Sequence, residues 1–497
     1  MRRWVLAAGA VVLLALPTVL AFYSGGFFDK PRLIAAVVVW ALVGVVALIA
    51  PRPLPRSPSG RLALLGLALL FGWVTLSFKW APLGNRAQDD AQRLLLYLGF
   101  MIAGAGLLRP PWVRRWLEPS VVLGSFVVIA YALSERMLPH AIHLAHSRTA
   151  AGRLEQPLTY WNAEGLLAAI GLVVAVHIAG DPRRERWLRS AAAFCGVVLG
   201  LGVFLSYARG ALGAVAVGLV VLLALGPDLR ATLRAIVTIG GAVAIASVVA
   251  SSFPTIKSLS TRDAGEGLEM LAALLLLAVL AAAIAPRVSS RPIRMPSLGV
   301  SRPAAVFATS LALLVVGLLV LAATEGKPEA TSPVRGANPA RLGSIDSNRY
   351  RYWQEAARTF ERHPLIGIGS GGFQVEWLKV INRSDASGDA HSLYLETAAE
   401  LGVVGVAIVL LFLGGIAGSV LRLYRFHRGA AAGLAAGLAA WAFHAGLDWD
   451  WEMPAVSLPA LLMAAAAIAW GDEPDAQAAV GDARQAGEAA LPVVPIC

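Results

Sequence analysis

The sequence predicts an all-α polytopic membrane protein, with about 14 transmembrane helices and one long outer, periplasmic loop that itself contains helices. Three observations carry this expectation. Hydrophobic residues make up 57% of the 497 and charged residues only 15%, against roughly 25% charged in a soluble domain. Apolar runs of about 20 residues, the length of a membrane span, recur along the chain. The basic residues fall in short clusters between those runs. A net charge of +11 distributed in this way reads as a topology signal, whereas a nucleic-acid surface needs one basic stripe. Nucleic acid is therefore not expected among the partners.

Taken in order, the runs lie near residues 4–22, 33–50, 62–78, 92–108, 117–135, 159–179, 190–207, 210–226, 233–252, 267–285, 303–323, 402–421, 429–447 and 453–470. Arg2 and Arg3 ahead of the first run suggest a cytoplasmic N-terminus, which alternates the loops so that the C-terminal tail is cytoplasmic too. On that assignment the inner segments carry 22 of the 42 Lys and Arg residues. Nine of the outer ones lie in a single long loop that orientation does not count, leaving 11 in the short outer loops. The first run also fits a removable signal peptide ending at Val19-Leu20-Ala21, but it exceeds the roughly 7 to 15 apolar residues of a signal core. The expected organisation is N-terminal helices over 1–154, a helical core over 155–323, a large outer loop over 324–401, C-terminal helices over 402–470, and an Ala/Asp/Glu/Gly-rich disordered tail over 471–497. Cys195 and Cys497 offer neither a disulfide framework nor a zinc site.

A polar stretch as long as 324–401 is uncommon unless it is functional. Arg349, Trp353, Ala356, Ala357 and Phe360 recur at helical spacing, and His363-Pro364-Leu365 stops that helix. HSLYLETAAEL from His391 to Leu401 reads as helix again, yet Gly402 to Leu421 alone spans roughly 30 Å. The His391 segment is therefore placed at the outer interface. There Glu396 and Glu400, one turn apart, avoid the roughly 3 kcal/mol cost of each charge in hydrocarbon.

These residues carry a family pattern. RYRYWQEAARTFERHPLIGIGSGGF, then DAHSLYLETAAELGVVG, with SYARGALGAVAVGLVVLL earlier, resembles the O-antigen ligase and O-antigen polymerase superfamily over roughly residues 155–450. The resemblance implies a glycosyltransferase at the outer face of the bacterial inner membrane. Such an enzyme accepts a glycan on a polyprenyl diphosphate and passes it to a glycolipid or glycan hydroxyl. It implies an Arg at an outer helix end, matched by Arg209 with a shifted Ser206, and a loop Arg ahead of a Trp, matched by Arg349 and Trp353. A His before a Leu-rich segment and Glu-Leu-Gly is matched by His391, Glu400, Leu401 and Gly402, with Ser392 where the family usually has Asn.

The chemistry agrees with that pattern. A departing diphosphate needs neutralising, and without a metal or other cofactor the bidentate forks of Arg209, Arg349 and Arg351 are the candidates. The acceptor hydroxyl needs a base, for which His391 is the candidate. Asn162 and Glu164, at the outer start of the sixth helix, are candidate supporting residues: Asn162 also reads as a helix cap within an aromatic belt, and Glu164 as lining the acceptor cavity. Gly367-Ile368-Gly369-Ser370-Gly371-Gly372 matches G-x-G-x-x-G without the preceding strand, so it reads as a flexible turn or lid. Asp448-Trp449-Asp450 reads as interfacial belt, with His444 and Asp448 pairing four residues apart. His140, His143 and His146 have a spacing that would place them on one outer helical face, without the Cys or carboxylate partners a metal would need. The polymerase is the alternative to the ligase. A transporter would place its charges on broken helices near the midplane, and a scaffold needs no convergent Arg and His.

Overall fold

The computed structural model describes residues 1–288, 337–338, 349–381 and 387–472. Among them all regular elements are helical: α1 (Arg2–Ala21), α2 (Asp29–Ile49), α3 (Pro58–Ser77), α4 (Gly84–Leu107), α5 (Pro111–Met137), α6 (Trp161–Gly180), α7 (Arg186–Ser206), α8 (Arg209–Leu225), α9 (Leu229–Ser252), the short α10 (Pro254–Ser258) and α11 (Ala264–Val288). The later helices are α12 (Arg349–Arg362), α13 (Phe373–Val380), α14 (Leu393–Phe426), α15 (Arg428–Ala445) and α16 (Pro454–Gly471). Among the described residues 10 helices are long and apolar enough to cross a membrane, and α8 is a shorter apolar helix. α4 and α15, both expected to span, are not among the 10. The first turns of α4 carry Arg86, Asp89, Asp90 and Arg93, and α15 is built mostly of small Ala and Gly residues. The span expected at 303–323, the start of the long loop and the tail after Asp472 lie outside the described residues.

An apolar helix in a membrane can face either lipid or other helices, and α6 and α16 take the second course, their spanning windows wholly buried, whereas the more apolar α2 and α11 are only 28% buried. α6 packs on α5, α7, α8 and α15, while α16 packs on α1, α4, α14 and α15. Small residues allow these close approaches, as where Gly66 and Gly415 bring α3 and α14 together backbone to backbone. Charged contacts sort to the two ends of the bundle. Arg109–Asp472, Arg115–Glu185 and Arg184–Glu118 join segments expected inside, whereas Arg32–Asp89, Arg93–Glu452, Arg262–Glu135 and Arg349–Asp448 join segments expected outside.

α14 is a broken helix. Gly402 has φ 65° and ψ −167°, a conformation almost restricted to glycine, and it separates the His391 segment from the spanning part where the sequence led us to expect. A break at the edge of a membrane strands backbone groups that must be satisfied locally. The chain from Pro364 to Gly369 does this: Val403 N donates to Pro364 O at 2.8 Å, while Ile368 N and Gly369 N donate to the Ala399 and Glu400 carbonyls at 3.2 and 2.8 Å. The Glu400 carboxylate then accepts from Gly371 N and Phe373 N at 2.8 and 2.9 Å.

The glycine-rich segment read as a flexible turn is thus a clamp, packed against Ala81, Arg86 and Glu400. Beside it α12, α13 and the start of α14 share a small core of Tyr352, Ala356, Phe373, Trp377, Ala390 and Ala399. α12 is helical as the spacing predicts, and its buried face is Tyr352, Glu355, Ala356 and Thr359. Glu355 turns inward because Arg362 pairs with it.

Gly402→Ala tests this joint, since a Cβ there would press into the Leu365 carbonyl and left-handed backbone costs a non-glycine residue about 1–2 kcal/mol. The variant is expected to unfold several degrees below wild type in detergent. An unchanged unfolding temperature would contradict the role given to the break.

Candidate active site

His391 sits at the turn where the loop enters α14, with φ 55°, and three neighbours fix it. Its Nδ1 lies 3.1 Å from Asp389 O. A carbonyl oxygen only accepts, so this contact is a hydrogen bond in the Nδ1–H tautomer, which leaves the Nε2 lone pair as the basic position. Trp353 Nε1 donates to His391 O at 3.3 Å, and the Tyr352 ring lies 5.1 Å from the imidazole, tilted by 32°. Ser392, in place of the family's usual Asn, caps α14 by accepting from Leu395 N at 3.4 Å. Glu396 reaches back to Ala390 N at 2.7 Å.

Arg349 opens the same helix that carries Tyr352 and Trp353, and its guanidinium pairs with Asp448. Asp448 is fully buried and also accepts from the Tyr160 hydroxyl at 2.8 Å, which in turn accepts from Asn162 Nδ2 at 2.7 Å. The chain Asn162–Tyr160–Asp448–Arg349 therefore links the start of α6 to the loop. Burial disfavours the Asp448 carboxylate, but the Arg349 charge outweighs it and holds the group below its ordinary 3.8. Burial likewise opposes the Arg349 charge, and Asp448 more than compensates, raising that guanidinium.

Arg209 begins α8. The next residue, Gly210, lies flat against the His444 imidazole, whose Nδ1 is 2.5 Å from Asp450 Oδ2. The backbone of Arg209 thus adjoins the corner that holds His444, Asp448 and Asp450.

The structure brings together His391, Trp353, Arg349 and Asn162, and it places Arg209 at their border. Arg351 is exposed, on the side of α12 away from its buried face. Glu400 serves the glycine clamp. Asn162 does not cap α6, because Tyr160 occupies the cap position. Glu164 is fully buried near the start of α6. His444 pairs with Asp450, not with the expected Asp448. His140, His143 and His146 lie in an irregular segment instead of on a helix, where His146 meets Glu135 at 2.6 Å.

Tyr160 and the acids Asp448 and Asp450, the last two expected only in an interfacial belt, are the partners that local spacing misses. The available signal was the density of acids, three carboxylates in five residues from Asp448 to Glu452 at a helix end. A cavity of about 460 Å³ adjoins the site, lined in part by Arg86, Arg93, Asp389 and Glu452.

Helices of this length and apolarity define a multi-pass membrane protein, with an Arg- and His-bearing site at one end of the bundle. A family model described as O-antigen ligase matches residues 191–410, a stretch that contains Arg209, Arg349 and His391. The match supports the O-antigen ligase and polymerase superfamily, and with it a membrane glycosyltransferase in the broad sense. No curated protein matches the chain.

The Arg349–Asp448 pair is open to a double-mutant cycle. Removing one partner of a buried pair costs about 3 kcal/mol, so Asp448→Asn and Arg349→Gln should each destabilise, and the double variant should lose less than the two together by at least about 1 kcal/mol. A carboxylate held below its unfolded value stabilises above that value, so the wild-type advantage should vanish as pH falls from 3.8 through the lower folded pKa. Strictly additive losses at neutral pH would show that the pair is not an energetic unit.

Proposed function

We propose that this chain is a ligase-type glycosyltransferase of the bacterial inner membrane, with both termini cytoplasmic and residues 324–401 outside. It moves a glycan from a polyprenyl diphosphate to a hydroxyl of a glycolipid or glycan acceptor. The observation that carries this reading is the convergence of His391, with its Nδ1 committed to a carbonyl, and Arg349, anchored by Asp448, on one turn of α12.

In the reaction the acceptor hydroxyl oxygen attacks the anomeric carbon while its proton passes to His391 Nε2. The bond from that carbon to the diphosphate oxygen breaks, and the electron pair leaves with the diphosphate. Asp448 anchors the Arg349 guanidinium, whose planar fork matches the oxygens of a diphosphate. Arg209, at the N-terminal end of α8, adds charge where helix N–H groups already favour a phosphate. Direct attack inverts the anomeric centre and needs neither a glycosyl-enzyme nor a metal.

Purified protein supplied with lipid-linked glycan tests the assignment. His391→Ala is expected to lower transfer about a hundredfold or more, to keep donor binding, and to lose much of the wild-type decline in acid. Arg349→Lys and Arg209→Lys keep the charge but not the fork, and should lose activity through the donor, while chelator leaves wild type unaffected. Near-normal transfer by His391→Ala, or a strict requirement for divalent metal, would sink this mechanism.

A further inference from the structure

The cavity beside Asp389 takes no part in the chemistry above. Its 460 Å³ lie within the roughly 300–1,000 Å³ of small-molecule sites, and three features of its wall specify an occupant.

First, its charge is answered internally. Four cationic and five acidic side chains line it, and Arg93 bridges Asp90 and Glu452, both at 2.6 Å, while Arg32 holds Asp89 at 2.7 Å. An anion entering here would meet arginines already committed to carboxylates, whereas a neutral polyol can donate to the carboxylates and accept from the guanidinium groups.

Second, polar groups remain within reach of an occupant: the Arg86 and Asp389 side chains are 33% and 21% exposed, and at 3.7 Å their ion pair is too long to be a hydrogen bond.

Third, one wall is aromatic. Phe28 packs on Phe27 (5.5 Å between ring centres), Phe27 on Trp449 (5.4 Å) and Trp449 on Tyr160 (4.5 Å). This row ends at the hydroxyl bound to Asp448, so it runs from the cavity to Arg349. The loosest ion pair in the wall, Arg86–Asp389 at 3.7 Å, lies two residues from His391.

We propose that this cavity is a saccharide subsite that binds a neutral sugar residue, with hydroxyls on Asp389, Arg86 and Arg93 and a ring face on Phe28. A sugar seated there extends its chain along the aromatic row toward His391. The proposal rests on the transferase reading only for which substrate supplies the sugar, since donor and acceptor glycans share this chemistry.

Binding is measured without turnover, by saturation-transfer NMR on the full-length protein in detergent with methyl glycosides of neutral hexoses, and with pyrophosphate as a competitor. Wild type should bind at least one neutral hexoside, with no displacement by pyrophosphate. Asp389→Asn and Phe28→Ala should each weaken that binding tenfold or more. Phe28 is 60% exposed and makes none of the ion pairs, so it carries the test if Asp389→Asn fails to fold. Absence of hexoside binding to wild type, undiminished binding by Phe28→Ala, or displacement by pyrophosphate would overturn the subsite. In transfer assays of Phe28→Ala, a rise in KM for the acceptor assigns the sugar to the acceptor, and a rise for the lipid-linked glycan assigns it to the donor. Failure of wild type to transfer at all would refute the transferase reading and leave the binding result standing.

Discussion

The break in α14 at Gly402 is the constraint from which the rest of the site follows. A helix running unbroken from Leu393 to Phe426 would be about 50 Å long, far beyond the roughly 30 Å of hydrocarbon, and would carry Glu396 and Glu400 in line with its apolar part. Breaking it exposes backbone donors and acceptors, and the Pro364–Gly369 chain fills the gap with its own. That insertion fixes α12 and α13 against the start of α14 through the Tyr352–Trp377 core. His391 and Arg349 are consequently held by elements tied to the bundle, not by a free loop.

Much of this was legible in the sequence because membrane physics is coarse. The positions of most helices follow from apolar runs, and the interruption ahead of the 402–421 run followed from comparing its length with a bilayer. The convergence of Arg349, Trp353 and His391 was legible through their motif. What could not be read was the partner of each group. Asp448 and Tyr160 are 288 residues apart, and local spacing gave no reason to join them. Local reasoning also misled: Asn162 has the chemistry of a cap but sits inside the helix, and His444 faces Asp450 because the turn after α15 brings that residue round. The glycines from Gly367 looked mobile because glycine permits motion, although here they permit close packing against Ala81 and Arg86.

The site couples electrostatics to position. Asp448 is buried where a lone carboxylate would be costly, and Arg349, Tyr160 and the Trp449 N–H satisfy it. The same contacts hold the Arg349 guanidinium on the helix whose Trp353 binds the His391 carbonyl. In that cavity burial, resisted by Arg93 and reinforced by Asp90 and Asp389, pushes Glu452 up to about 8, so near neutral pH the wall is close to neutral overall. The proposed diphosphate contact at Arg349 and the proposed sugar site in the adjoining cavity together suit a substrate with a diphosphate at one end and sugars at the other.

The central claim is a direct displacement at the anomeric carbon by a hydroxyl whose proton His391 receives. The most direct measurement is the anomeric configuration of the newly formed bond, read by NMR on product made by the purified protein from a polyprenyl-diphosphate glycan of known configuration. Inversion is expected, with one polyprenyl diphosphate released for each bond formed. A product that retains the donor configuration would contradict it.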